Sequence, residues 1–99
     1  MTLSGVRVEV LVPAVLRTDC GGAARLSFVL SSPATLGDLL AEVAGAHPRL
    51  ERRVRDEQGA IRRYVNVYVN GEEARSRAGV ATPLHDGTQV QIVPSVAGG

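Results

Sequence analysis

Val6, Val8, Val10 and Val12 alternate with Arg7, Glu9 and Leu11, the period-2 pattern of a strand with one buried face, and predict a first strand over residues 6–12. Beyond Pro13 the run Asp19-Cys20-Gly21-Gly22 is rich in turn formers. Ala24, Leu26, Phe28 and Leu30 then alternate with Arg25, Ser27 and Val29, so a second strand follows and the two read as an N-terminal hairpin. Pro33 stops it. Thr35 stands three residues before Asp38, a capping signature, and Leu36, Leu39, Leu40, Val43 and Ala44 follow at helical spacing. The spacing predicts a helix over residues 35–46, which Gly45 and Pro48 bring to an end. Leu50 and Val54 suit a short second helical turn.

The polar run Arg55-Asp56-Glu57-Gln58-Gly59 interrupts the apolar pattern. Val65, Val67 and Val69 then alternate with Tyr64, Asn66 and Tyr68 up to Asn70-Gly71, a pair suited to a tight reversal with positive φ. A short edge strand is expected over residues 72–75. Asp86-Gly87 marks another turn, and Val90 and Ile92 alternate with Gln89, Gln91 and Val93 before Pro94, giving the last strand. The order strand, strand, helix, strand, short strand, strand requires the helix to cover the apolar face the strands share. The expected fold is an α+β β-grasp, ubiquitin-like, with a mixed four- to five-stranded sheet and one main helix. Residues 1–94 form its one domain and residues 95–99 a projecting tail.

A chain of 99 residues, 44% of them apolar and 21% charged, is sized for one core. With three aromatics and no Trp that core is built from branched aliphatic groups, which suits strands. Eleven Lys and Arg against ten Asp and Glu leave a net charge of +1, too small a field to draw the chain onto nucleic acid or anionic lipid. One cysteine excludes an internal disulfide and a Cys-based zinc site, and no apolar run reaches the roughly 18 residues of a membrane span. The expected compartment is the cytoplasm.

The chemistry concentrates in the tail. Ser95-Val96-Ala97-Gly98-Gly99 follows a strand-ending proline without periodicity, and five extended residues span roughly 16–18 Å. That reach is enough to carry a carboxylate into another protein's buried site, with Val96, Ala97 and Gly98 as the inserted segment. Glycines without Cβ let a narrow channel close around the chain. A carboxylate is ionised at neutral pH and a poor electrophile, so Gly99 needs activation. Adenylation with ATP gives an anhydride from which a sulfur nucleophile displaces AMP, leaving a thiocarboxylate.

The run Gln91-Ile92-Val93-Pro94-Ser95-Val96-Ala97-Gly98-Gly99 resembles the end of the ThiS/MoaD-type sulfur carriers of thiamin, molybdopterin and cysteine biosynthesis. Leu16-Arg17 with Gly21-Gly22, the segment from Arg63 to Gly71, and Ala81-Thr82 with Asp86-Gly87 extend the resemblance, most strongly to the actinobacterial cysteine-biosynthesis branch. It covers most of the chain. Thiamin-type carriers lack the segment from Pro48 to Arg62. The resemblance implies activation by an E1-like adenylyltransferase of the MoeB/ThiF type, with Gly99 as the sulfur-bearing group. It implies a sulfur-accepting biosynthetic enzyme and, in the cysteine route, a cysteine synthase and a metallopeptidase. The alternative is a ubiquitin-like modifier that forms isopeptide bonds through Gly99.

Leu11, Pro13, Tyr68 and Val93 are out of phase with the core valines or end such strands, which places them on the sheet's outer face as a candidate docking surface for the activating enzyme. Arg49, Arg52, Arg53, Arg55, Arg62 and Arg63 are interrupted by Glu51, Asp56 and Glu57 and read as a solvated mixed-charge face rather than a nucleic-acid site. Cys20 sits in a Gly-rich loop beside acidic Asp19, a poor setting for a nucleophile. His47 and His85 have no metal-ligand spacing. Without a phosphate loop or paired carboxylates, the chain reads as a co-substrate of other enzymes rather than a catalyst.

Overall fold

The structure, a computed structural model, describes residues 5–94. The alternating valines form β1 (Gly5–Leu11), paired antiparallel with β2 (Arg25–Ser31) in the register Val8 to Phe28. A two-residue strand, β3 (Ala34–Thr35), leads into helix α1 (Leu36–Ala46), and α2 (Pro48–Val54) follows directly with proline in its first turn. Then come β4 (Val65–Val69), β5 (Glu72–Glu73), β6 (Pro83–Leu84) and β7 (Thr88–Pro94).

The five-stranded sheet has the order β2-β1-β7-β4-β5. Its central strand, β7, runs parallel to β1 and antiparallel to β4, so the first and last strands meet in the middle. Val6, Val8, Val10, Val65, Val67, Val90 and Ile92 point to one face, where Leu36, Leu39, Leu40 and Val43 of α1 and Leu50 and Val54 of α2 complete a single core. This mixed sheet with a helix across one face is the β-grasp. β2 is an edge strand, so its inward Leu26 and Phe28 are only half covered.

Local chemistry explains the boundaries. Thr35 Oγ1 accepts from the Asp38 N–H at 3.2 Å and the Asp38 carboxylate accepts from the Thr35 N–H at 2.9 Å, closing the capping box expected at the start of α1. Asn70 and Gly71 adopt φ of +48° and +86°, and the Asn70 side chain accepts from the Gln89 N–H, which fixes the β4–β5 reversal against β7.

Several elements depart from the pattern reading. The connection after Pro13 is a 3-10 helix, Ala14–Cys20, which buries Leu16 and Cys20. The second helical turn is a full helix, α2, because both Leu50 and Val54 reach the core. The expected strand at 72–75 keeps only Glu72 and Glu73, since Ala74 turns inward and begins a 3-10 turn. β3 and β6 pair with each other, Ala34 with Leu84, in a small second sheet, and the Leu36 N–H donates to the Thr82 carbonyl at 2.9 Å. Two residues of strand carry too little periodicity to be read from sequence. No helix among the described residues is long and apolar enough to cross a membrane.

Candidate functional site

The registers place one residue from every strand in a single row across the sheet's outer face: Arg25, Leu11, Gln91, Tyr68 and Glu73. Val93 lies one step further along β7, opposite Asn66, and Pro94 ends the strand opposite Val65. Leu11, Pro13 and Val93 line one shallow depression with Arg17, Arg25 and Gln91. Tyr68 stands apart from it, one strand over and beyond Gln91. All four docking candidates are half-buried rather than fully exposed, because neighbouring strands crowd their flanks. Gly99 and the segment Val96, Ala97 and Gly98 lie outside the described residues.

The surroundings of Pro94 hold groups that were not singled out by pattern. Tyr64, 51% exposed, directly precedes Val65, the residue that pairs with Pro94. Val15, 70% exposed, lies two residues past Pro13 and therefore within about 7 Å of it by backbone reach. Tyr64 thus stands next to the pairing partner of the last residue of β7, and Val15 lies close to Pro13 of the depression. Tyr64 carried a signal, being on the outward phase of β4. Val15 did not, since its exposure depends on the 3-10 helix.

That helix is anchored in two ways. The Arg17 Nε–H donates to the Val12 carbonyl at 3.0 Å, closing one wall of the depression. Asp19, its side chain only 5% exposed, receives Arg53 Nε at 3.2 Å and Arg49 Nε at 3.7 Å from α2. The arginine run is therefore not uniformly solvated. Arg55, its side chain 15% exposed, lies against both carboxylate oxygens of Glu51, at 3.0 and 3.1 Å. Arg52 and Arg63 do remain exposed, as the mixed-charge reading expects.

Cys20 is not in a loop. It is 3% exposed at the end of the 3-10 helix, its Sγ 3.4 Å from the Ala23 carbonyl oxygen, and it serves the core. His47 caps the junction of α1 and α2, and exposed His85 belongs to the turn before β7, where its N–H and carbonyl bond Thr88 Oγ1. Among the described residues no group of three or more His, Cys, Asp or Glu is placed to hold a metal ion. The arrangement offers a shallow depression and a strand end.

Comparison with known proteins agrees with this architecture. The model of the ThiS family matches residues 7–99. The sulfur carrier protein CysO of Mycobacterium tuberculosis is 36% identical over 96 residues, which is 95% of this chain and all of that protein. Small archaeal modifier protein 1 of Haloferax volcanii is 36% identical over 81 residues, 82% of this chain and 88% of that one. In the crystal structure of the Amycolatopsis orientalis BexX/CysO complex, one chain superposes with a TM-score of 0.80 at 34% identity, covering 93% of this chain and 99% of that one. On sequence and on fold, the chain belongs to the ThiS family, the ubiquitin-like sulfur carriers.

Proposed function

We propose that this chain is a sulfur carrier whose working group is the carboxylate of Gly99. The observation that carries the reading is the family match running through Gly99, on a fold that ends its central strand at Pro94 beside a depression where Leu11, Pro13 and Val93 meet Arg17, Arg25 and Gln91. A Gly99 carboxylate oxygen attacks the α-phosphate of ATP on an E1-like adenylyltransferase, and pyrophosphate leaves. A sulfur nucleophile then adds to the acyl carbon and expels AMP, giving the thiocarboxylate. A biosynthetic enzyme takes the sulfur, with cysteine, molybdopterin and specialised metabolites as the candidate products. The chain binds no cofactor and acts as co-substrate. ATP-dependent activation and an unpaired cysteine suit the cytoplasm.

A reach of roughly 16–18 Å from Pro94 brings the activating enzyme's rim onto whatever surrounds that residue. Leu11, Pro13 and Val93 supply the apolar floor, with Tyr68 beside it and Val15 and Tyr64 at the margin. In the cysteine route a cysteine synthase and a metallopeptidase would meet the same surface.

The likeness to an archaeal modifier protein favours one second reading, in which a lysine of a target protein attacks activated Gly99 and forms an isopeptide bond. Intact-mass measurement separates the two. With ATP, a sulfide source and the adenylating enzyme of the same organism, the carrier reading expects one oxygen replaced by sulfur. An unchanged mass with an enzyme that turns over ATP refutes it, and covalent ladders that vanish on deleting Gly99 favour the modifier.

A further inference from the structure

All eleven basic residues of the sequence are arginines; it contains no lysine. The two cations differ in the property that matters next to an activated carboxyl group. A lysine amine can lose its proton and attack an acyl carbon, whereas a guanidinium stays charged and does not.

Structure explains arginine at some positions and not at others. Arg55 lies against both oxygens of Glu51, Arg75 reaches Asn66, Glu73 and the Arg62 carbonyl, and Arg17 and Arg62 donate through Nε to backbone carbonyls. A lysine, with one terminal ammonium and no Nε–H along its stem, cannot reproduce those contacts. Arg7, Arg52 and Arg63 are exposed and their side chains make no hydrogen bond or ion pair among the described residues, so lysine would serve the fold equally well there. The other strong nucleophile, the Cys20 thiol, is 3% exposed. An acyl group on His47 or His85 hydrolyses back to the acid and leaves no product.

Resting on the reading of Gly99 as an acyl donor, we infer that this chain is built as a donor only: it offers activated Gly99 no side-chain amine and no accessible thiol, so the acyl group goes to another molecule. The amide that is avoided would form by attack of a lysine amine on the Gly99 carbonyl carbon, with loss of AMP or thiol and a proton. Within one molecule this closes a ring. Between molecules it builds chains of carriers. Arg63 is the position most at risk, two residues from the partner of Pro94 and so well inside the reach of five tail residues.

The test needs no activating enzyme. The full chain is made as an intein fusion and released by a small thiol as its C-terminal thioester, then held at mildly alkaline pH and followed by intact mass. The wild type should return only to the free acid. Arg63→Lys should yield a product lighter than the free carrier by one water, because a short tether supplies an effective concentration in the millimolar range, about 1,000-fold above micromolar protein. Arg7→Lys, about 23 Å from Pro94 along β7, should conjugate more slowly. Fragmentation assigns each amide to the introduced side chain or to the α-amino group. Wild-type amide formation at the Arg63→Lys rate overturns the inference. So does Arg63→Lys that only hydrolyses, which would make the absence of lysine a matter of composition alone. Since the thioester forms without ATP, a carrier that fails the adenylation assay leaves this outcome unaffected.

Discussion

Asp19 places a nearly buried carboxylate between two helices, and removing one of its partners has a cost that can be bracketed. Breaking a fully buried ion pair from one side costs roughly 3–5 kcal/mol, and breaking an exposed one about 0–1 kcal/mol. Asp19 resembles the first case, with a side chain 5% exposed. Arg53 and Arg49 resemble the second, their side chains 64% and 75% exposed, so water screens the attraction and can partly replace it. Arg53→Ala leaves Asp19 only Arg49, at 3.7 Å, and should cost about 1–2 kcal/mol. In a domain of this size that is roughly a 5–10 °C drop in Tm. Asp19→Asn should cost a similar amount, and because the two changes remove one interaction, the double variant should fall short of their sum by about 1 kcal/mol. Urea unfolding followed by far-UV circular dichroism measures all three, with an unchanged m-value showing that the denatured state is not the cause. Single costs below about 0.3 kcal/mol that add without coupling would refute the clamp and return the arginines to a merely solvated role.

Leu39→Ala, at a fully buried position of α1, should lose about 2–5 kcal/mol in the same unfolding measurement; a loss under about 1 kcal/mol would mean the core is looser than its burial indicates. Thr35→Ala opens the capping box and should cost about 1 kcal/mol, whereas Thr35→Ser should restore most of it. Val93→Asp puts a charge into the depression and should slow adenylation by the partner enzyme at least about ten-fold while leaving far-UV circular dichroism unchanged. Unchanged adenylation would remove Val93 from the docking face.

What was legible in the sequence is what periodicity encodes. The valines of β1, β4 and β7 announced their inward faces, the Thr35–Asp38 pair its helix start and Asn70-Gly71 its reversal, because each is a local rule. The outer row was legible for the same reason: a residue out of phase with the core points the other way. Asp19 and Arg53 were not, since they are 34 positions apart and meet only when the 3-10 helix docks on α2. Cys20 was misplaced with them, because its burial is a property of that docking and its neighbours in sequence read as a loop. Val15 escaped for the complementary reason, being apolar yet turned outward by a helix too short for pattern.

The position of β7 has a mechanical consequence. A pull on Pro94 along the axis of β7 acts on a strand that is bonded on both sides, to β1 and to β4. Force along the strand loads both ladders in shear, so their hydrogen bonds share the load instead of opening one after another from an end. An edge strand would have had half that support. A load applied at Pro94 is thus spread over both ladders while the domain behind it keeps its shape.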